Sequence, residues 1–250
     1  MVARRVVLLS VLILAPVALI GDGRVNRLTL RAQEVPASRR AARAEREAAV
    51  RLAPRLQAQH VSLGAPVLLR IFKEEKALEV WLRDASGRFR LFTSYPICTF
   101  SGEPGPKLAR GDGQSPEGFY SVRPGALNPA SAYHLSFDLG YPNAYDRAHG
   151  RTGTALMVHG ACVSIGCYAM TDPVIEDIWT LAASAFRNGQ REMQVQAYPF
   201  RMTAAALERR RDDRWHAFWL NLKDGHDLFE RTGVPPRVDV RGGHYRFTQP

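Results

Sequence analysis

His159 and Cys167 stand eight positions apart, with Gly160 directly after the histidine and Ser164-Ile165-Gly166 directly before the cysteine. A thiol beside an imidazole is a nucleophile for acyl transfer, because the thiolate, not the thiol, attacks, and a neighbouring base or exposed backbone N–H groups raise its fraction. In this reading Cys167 attacks an amide carbonyl and His159 takes the thiol proton, then activates the acceptor. Gly166 lets the chain turn so that the N–H groups of Gly166 and Cys167 face a developing oxyanion. Gly160 and Ser164 belong to the loop that supports the pair. Two other readings use the same residues: a buried structural Cys167, and a zinc site built from His149, His159, Cys162 and Cys167. Structural zinc sites draw ligands from paired knuckles, and no second pair stands elsewhere in the chain. No metal and no cofactor are expected.

The elements that must hold these groups follow from the flanking pattern. Ala155-Leu156-Met157-Val158 reads as an apolar strand that delivers His159. Asp172 is placed to cap a helix with Pro173 at its first position, and Gly189 closes it. Residues 194–198 read as a further strand. Upstream, 67–72, 77–82 and 89–92 are short β-rich runs separated by turn residues, which predicts hairpins in an antiparallel sheet. Residues 101–118 are dense in Gly and Pro and feed the strand 119–122. Residues 125–153 are irregular, and a loop of that length is more often a binding loop than filler. Residues 37–53 are rich in Ala, Arg and Glu with little apolar face, a solvated helix or linker, and Pro54 and Gly64-Ala65-Pro66 punctuate the passage to the core. Trp215, Phe218, Trp219 and Leu222 recur at helical spacing near the C-terminus and read as packing. The expected class is α+β, mainly β with a few helices.

The chain has 250 residues, 46% hydrophobic and 23% charged, which fits one globular domain with appendages and excludes a disordered or fibrous protein. Eleven arginines against Asp22, Glu34, Glu45 and Glu47 give residues 1–60 a net of +7 of the chain's +10. A nucleic-acid enzyme would spread basic charge over its folded part, so no nucleic acid is expected as a partner. Arg4 and Arg5 followed by the apolar stretch Val6 to Ile20 read as an export signal, cleaved or kept as a membrane tether. Three cysteines leave at least one thiol free within the chain. The boundaries read from these patterns are a signal peptide or signal anchor at 1–23, a basic helical linker at 24–60, a catalytic domain at 61–200 and a C-terminal extension at 201–250 packed on the core.

The same residues carry a resemblance. His159-Gly160 with Ser164-Ile165-Gly166-Cys167 resembles the His-Gly and Ser-x-Gly-Cys pattern of the L,D-transpeptidase catalytic domain, the YkuD-like fold. Tyr95-Pro96-Ile97-Cys98, Gly105-Pro106-Lys107, Pro116-Glu117-Gly118-Phe119-Tyr120, Gly140-Tyr141-Pro142-Asn143 and Tyr168-Ala169-Met170-Thr171-Asp172 resemble its YafK-like branch. The likeness covers roughly residues 65–200. It implies an antiparallel β-sandwich with long loops and a helical C-terminal appendage, with Cys167 as nucleophile and His159 as base. It also implies a periplasmic enzyme whose partners are peptidoglycan stem peptides and wall-linked lipoprotein, active in cell-wall organization and cell shape. The chain departs from the broader family at Ile165, where His is usual, and at Tyr168-Ala169-Met170, where Arg or Asn commonly follows the cysteine. Replacement substrate contacts are expected from residues 131–150, with His134, Tyr141, Asn143, Asp146 and Arg147 as candidates. A guanidinium at Arg147 suits a stem-peptide carboxylate. An oxidising periplasm would allow Cys98 and Cys162 to pair while Cys167 stays reduced. The implied reaction is attack by Cys167 on a meso-diaminopimelate carbonyl, with the thioester passed to an amine. Two alternatives stay open: a cysteine amidase that hydrolyses the peptidoglycan–lipoprotein link or stem peptides, and a non-catalytic wall-binding module.

Overall fold

The structure is a computed structural model that describes residues 34–249. In chain order its elements are α1 (Arg39–Ala58), β1 (Val67–Phe72), β2 (Ala77–Arg83), β3 (Phe89–Pro96), β4 (Thr99–Phe100), β5 (Gly118–Val122), β6 (Leu127–Asn128), β7 (Ser136–Asp138), α2 (Ala144–Ala148), β8 (Met157–His159), β9 (Tyr168–Ala169), α3 (Asp172–Arg187), β10 (Met193–Tyr198), α4 (Ala204–Glu208), α5 (His216–Thr232), β11 (Arg237–Arg241) and β12 (His244–Thr248). The export signal and membrane tether expected within residues 1–23 lie outside the described residues. Among the described residues no helix is long and apolar enough to cross a membrane.

Two five-stranded sheets and a hairpin make the β part. The first runs β3-β2-β1-β10-β5, the second β4-β9-β8-β7-β6, and β11 pairs with β12. The class is α+β, but the sheets are mixed where the sequence reading gave antiparallel ones. β1 pairs with β10 in parallel, and β8 pairs with β9 in parallel. Periodicity reports which face of a strand is buried, not the direction of its neighbour, so hydropathy alone could not separate these cases.

β1 is buried along its whole length because both faces of the first sheet are covered. Val67, Leu69 and Ile71 join one cluster with the buried faces of α1, α3 and the second sheet. Phe72 on the opposite face joins Tyr198, Phe200, Trp219, Leu222 and Tyr245, so side chains from residues 201–249 cover that side.

Residues 39–58 correct the solvated-linker reading. Ala41, Ala44, Ala48, Leu52 and Leu56 recur every three or four residues and are buried, in the cluster that also holds the α3 core. Alanine contributes little hydropathy, which hid this face, but its small side chain lets two helices approach. Leu52 and Leu56 each contribute about 1.5–3 kcal/mol by burial. Polar contacts fix the register of the two helices: Arg187 pairs with Glu45 at 2.7 Å, and Arg51 pairs with Glu176 and Asp177 at 3.0 Å. Pro54 lies inside α1 instead of ending it.

Candidate active site

β8 lies between β7, antiparallel, and β9, parallel, and it ends at His159. Residues 160–167 leave that end and return to start β9 beside β8, a crossover much shorter than the dozen or more residues parallel strands usually need. So tight a return requires left-handed backbone. Ala161, Cys162 and Gly166 have φ of 64°, 55° and 104°. Only glycine adopts such values at no steric cost, so Ala161 and Cys162 must be held there by their surroundings.

The holding groups come from four parts of the chain. Asp172 Oδ1 accepts the Ala161 N–H at 2.8 Å, and the Cys162 N–H donates to Met170 O at 3.2 Å. Cys162 is joined by a disulfide to Cys98, with the two Cα atoms 5.3 Å apart, and the Cys98 N–H donates to Ala169 O. Ser101 Oγ accepts the Gly166 N–H at 3.0 Å, while Ser164 Oγ and Ser115 Oγ both donate to Cys167 O, at 2.7 and 3.1 Å. A side chain at Gly160 would meet Asp172 Oδ1 at 2.6 Å, which is why the loop leaves β8 through glycine.

Ser115 is itself fixed from the core. The fully buried Lys73 ammonium donates to Glu103 O, Gly105 O, Ser115 O and Glu117 Oε1, and Trp219 Nε1 of α5 donates to Glu117 Oε2 at 3.0 Å. An ion pair buried this deeply survives only because nearly all its donors and acceptors are matched. Through it the C-terminal extension braces the loop behind Cys167.

The register sets Cys167 opposite Met157, two residues along β8 from His159 and on the same side of the pleat. The Met157 N–H donates to Cys167 Sγ at 3.4 Å. Burial pushes the thiol pKa up and this N–H pulls it down; the Asp138 carboxylate raises it further and Lys107 lowers it. His159 is 1% exposed, and burial lowers its pKa below the usual imidazole value, so the ring is neutral at pH 7. Its Nδ1 lies 2.6 Å from Gly160 O, an atom that only accepts, so Nδ1 carries the proton and Nε2 keeps a lone pair. The Tyr133 ring packs against the imidazole, with centroids 4.7 Å apart.

Several expectations change here. The Gly166 N–H is occupied by Ser101, so it does not face an oxyanion; the Cys167 N–H has no partner among the described residues and is the donor left for that role. Asp172 is not the helix cap. Thr171 holds that position, and the Asp172 carboxylate turns back to the loop at residues 160–167.

None of the candidates from residues 131–150 bonds to the thiol, though His134 lies beside the loop, its Cβ 3.0 Å from where a side chain at Gly160 would stand. Asn143 caps α2, its amide donating to Phe119 O and Tyr245 OH. Asp146 is fully buried, pairs with Arg151 at 2.8 Å and accepts from Tyr120 OH and the Asn143 N–H. Tyr141 is buried with its hydroxyl bonded to Lys107 O, and His134 Nε2 lies 3.0 Å from Glu176. Arg147 is exposed and donates to Pro142 O. Asn143 and Asp146 are thus taken by local structure: polar atoms that complete a capping box or a buried pair are not free for a ligand. With Cys162 in a disulfide and His149 bonded to Gly243 O, the four proposed zinc ligands do not form one set.

Sequence reading missed Asp172, Ser101, Ser115 and Tyr133. Asp172 carried a signal that a helix start also explains, and the two serines lie more than 50 residues from the cysteine, beyond any local pattern.

No family model matches the chain. It is 47% identical over 188 residues to "Putative L,D-transpeptidase YafK" of Escherichia coli K12, covering 75% of this chain and 76% of that protein, and it matches the protein of the same name from E. coli O157:H7 equally. Among solved structures it is similar to the helical cell shape determining protein Pgp2 from Campylobacter jejuni, with TM-score 0.42 and 22% identity, covering 58% of this chain and 54% of that one. Bd1075 of Bdellovibrio bacteriovorus gives TM-score 0.39 and 14% identity, over 73% of this chain and 84% of that one. TM-scores below 0.5 fix neither fold nor function.

Proposed function

The chain belongs to the YafK-like L,D-transpeptidase family, and from that premise we propose that it is a periplasmic cysteine acyltransferase that remodels peptidoglycan stem peptides, exported through residues 1–23. The observation that carries the reading is the placement of Cys167 beside β8, with its sulfur between the Met157 N–H and Ala155 O and its own N–H without a partner among the described residues, opposite a position two along β8 from a neutral histidine whose Nε2 is free.

The steps follow from those atoms. His159 Nε2 takes the proton from Cys167 Sγ, and the thiolate attacks the carbonyl of a meso-diaminopimelate residue in the donor stem peptide. The carbonyl oxygen gains the negative charge, which the Cys167 N–H stabilises. The C–N bond breaks, the imidazolium returns its proton to the departing amine, and a thioester remains on Cys167. An acceptor amine then gives its proton to His159 Nε2 and attacks the thioester carbon, releasing the thiolate and forming a new amide. Burial lowers the His159 pKa and raises that of Cys167, so the resting pair is a neutral imidazole and a protonated thiol, and the proton transfer between them is uphill. Tyr133, packed at a tilt of 34° against the ring, and Asp172, holding the turn that carries Gly160 O, support His159 in this orientation.

The test is mass spectrometry of products after incubating the protein with purified muropeptides and lipoprotein-bearing sacculi, beside Cys167→Ala. Crosslinked dimers lost in the variant are expected. Freed lipoprotein or shortened stem peptides without dimers would replace the acceptor amine by water and make the enzyme an amidase. Absence of any Cys167-dependent product would overturn the catalytic reading and leave wall binding.

A further inference from the structure

A cavity of about 970 Å³ lies between the outer edge of the first sheet, α2 and the C-terminal hairpin, and neither His159 nor residues 160–167 line it. Two open strand edges flank it. β5 ends the first sheet, and β11 pairs only with β12. At Phe119 the outward N–H and C=O of β5 are already met by Tyr245 OH and the Asn143 amide. Two residues on, where the strand repeat points the same groups outward again, Ser121 is exposed and its backbone has no partner on that side among the described residues. An unpaired edge of this kind takes an extended chain.

The charges around the cavity give that chain its chemistry. Arg83, Arg147 and Arg237 line it, and none of the three has a carboxylate within 4.0 Å among the described residues. The two lining carboxylates are both engaged by arginines outside the lining, Glu192 by Arg123 at 3.7 Å and Asp239 by Arg241 at 2.9 Å. The groove therefore presents three uncompensated guanidiniums and two neutralised acids. Guanidinium forks match carboxylates bidentately, so the fitting ligand is an extended peptide that carries several of them.

We propose that this groove is a second binding site, separate from the thiol, for the carboxylate-bearing stem peptides of peptidoglycan. The anionic class follows from the groove itself; the choice of stem peptides rests on the proposed function. The site also explains why Arg147, a residue suited to carboxylates, is exposed away from the catalytic loop. Holding a neighbouring stem peptide here would keep the enzyme on a polymeric wall while the catalytic centre works on another peptide, and multivalent attachment of this kind strengthens binding without new contacts at the active site.

The experiment measures co-sedimentation of the full-length Cys167→Ala protein with purified sacculi, with and without the triple substitution Arg83→Ala, Arg147→Ala, Arg237→Ala. The expected result is an affinity reduced by about tenfold or more at low salt, with unchanged thermal stability, and only partial recovery when the three residues are replaced by Lys, which restores the charge but not the bidentate fork. A parallel arm needs no variant in the groove: sacculi whose carboxyl groups have been converted to carboxamides should bind the protein as weakly as the triple variant binds native sacculi. Equal affinity of the triple variant and its parent, or equal binding of native and amidated sacculi, would overturn the proposal. Because Cys167 is absent throughout, groove-dependent binding together with no Cys167-dependent product in the turnover assay would remove the catalytic reading and leave the groove standing.

Discussion

Two loops of this protein look equally polar in the sequence and behave in opposite ways. Residues 141–151 carry Tyr141, Asn143, Asp146, Arg147 and Arg151, the side chains one would choose for recognising a peptide. Asn143 and Asp146 close a capping box on α2, and the buried Asp146 carboxylate is matched to Arg151 and Tyr120. Residues 160–167 have fewer polar side chains, yet their backbone is fixed by groups from elsewhere; the half-buried Cys167 thiol makes only two long contacts, from the Met157 N–H at 3.4 Å and to Ala155 O at 3.7 Å, and the Cys167 N–H has no partner among the described residues. The difference teaches that chemical capacity lies in atoms left available on a rigid support, not in the density of polar residues.

The contrast is sharpest in stability. Asp146→Asn leaves the Arg151 guanidinium buried without its counter-charge and should cost about 3–5 kcal/mol, read as a lowered denaturation midpoint. Cys167→Ser, by comparison, should leave the midpoint within about 0.5 kcal/mol, since a half-buried residue outside the core contacts is changed. A stable Asp146→Asn protein with impaired turnover would reverse the roles assigned to the two loops.

Removing the Cys98–Cys162 bridge tests the rigid support directly. With the cysteines 64 positions apart, the Cys98→Ser, Cys162→Ser pair should lose about 2–4 kcal/mol. Turnover should fall with it, because the bridge holds the left-handed turn at Ala161 and Cys162 that carries the Gly160 carbonyl to His159. Unchanged kcat in the folded variant would detach the bridge from catalysis.

Asp172→Asn is a milder change in the same place. It keeps an acceptor for the Ala161 N–H but weakens a charge-assisted hydrogen bond, so about 1 kcal/mol of stability is at stake. A kcat decrease of several-fold with KM little changed is expected, and Asp172→Glu or Asp172→Ala would bracket it.

The smallest effect is electrostatic. Burial and the Asp138 carboxylate both raise the Cys167 pKa, so iodoacetamide alkylation should inflect above the ordinary thiol value of about 8.5. Asp138→Asn removes a negative charge, favours the thiolate and should move the inflection down. Turnover has the opposite limb: His159 titrates below its usual pKa, so the acid side of the pH profile should lie below about 6.5. An inflection that ignores Asp138 would place the thiol elsewhere than beside β7 and β8.

Much of this centre was legible from residues alone. The apolar run ending at His159, the glycines flanking the loop and the strand at residues 194–198 all appear where their types and spacing predict. What stayed hidden was long-range or ambiguous. Parallel pairing of β8 with β9 has no hydropathy signature, and it is this pairing that brings Cys167 back to Met157. Ser101 and Ser115 act across 50 to 65 residues of chain on groups whose backbone positions only the fold defines. The alanine face of α1 was too weakly apolar to stand out, although it packs tightly. Asp172 satisfied a helix-start pattern while its carboxylate served the neighbouring loop, so one signal covered two physical outcomes.

The central claim is that Cys167 becomes covalently acylated by a stem peptide. Intact-protein mass spectrometry after rapid mixing with a soluble stem-peptide donor, quenched in acid without an acceptor amine, tests it most directly. The expected result is an adduct of the donor acyl mass on Cys167 that hydroxylamine removes, that is absent in Cys167→Ser, and that accumulates more slowly in His159→Gln. Turnover of the same donor with no such adduct at any quench time, or an adduct that persists in Cys167→Ser, would contradict it.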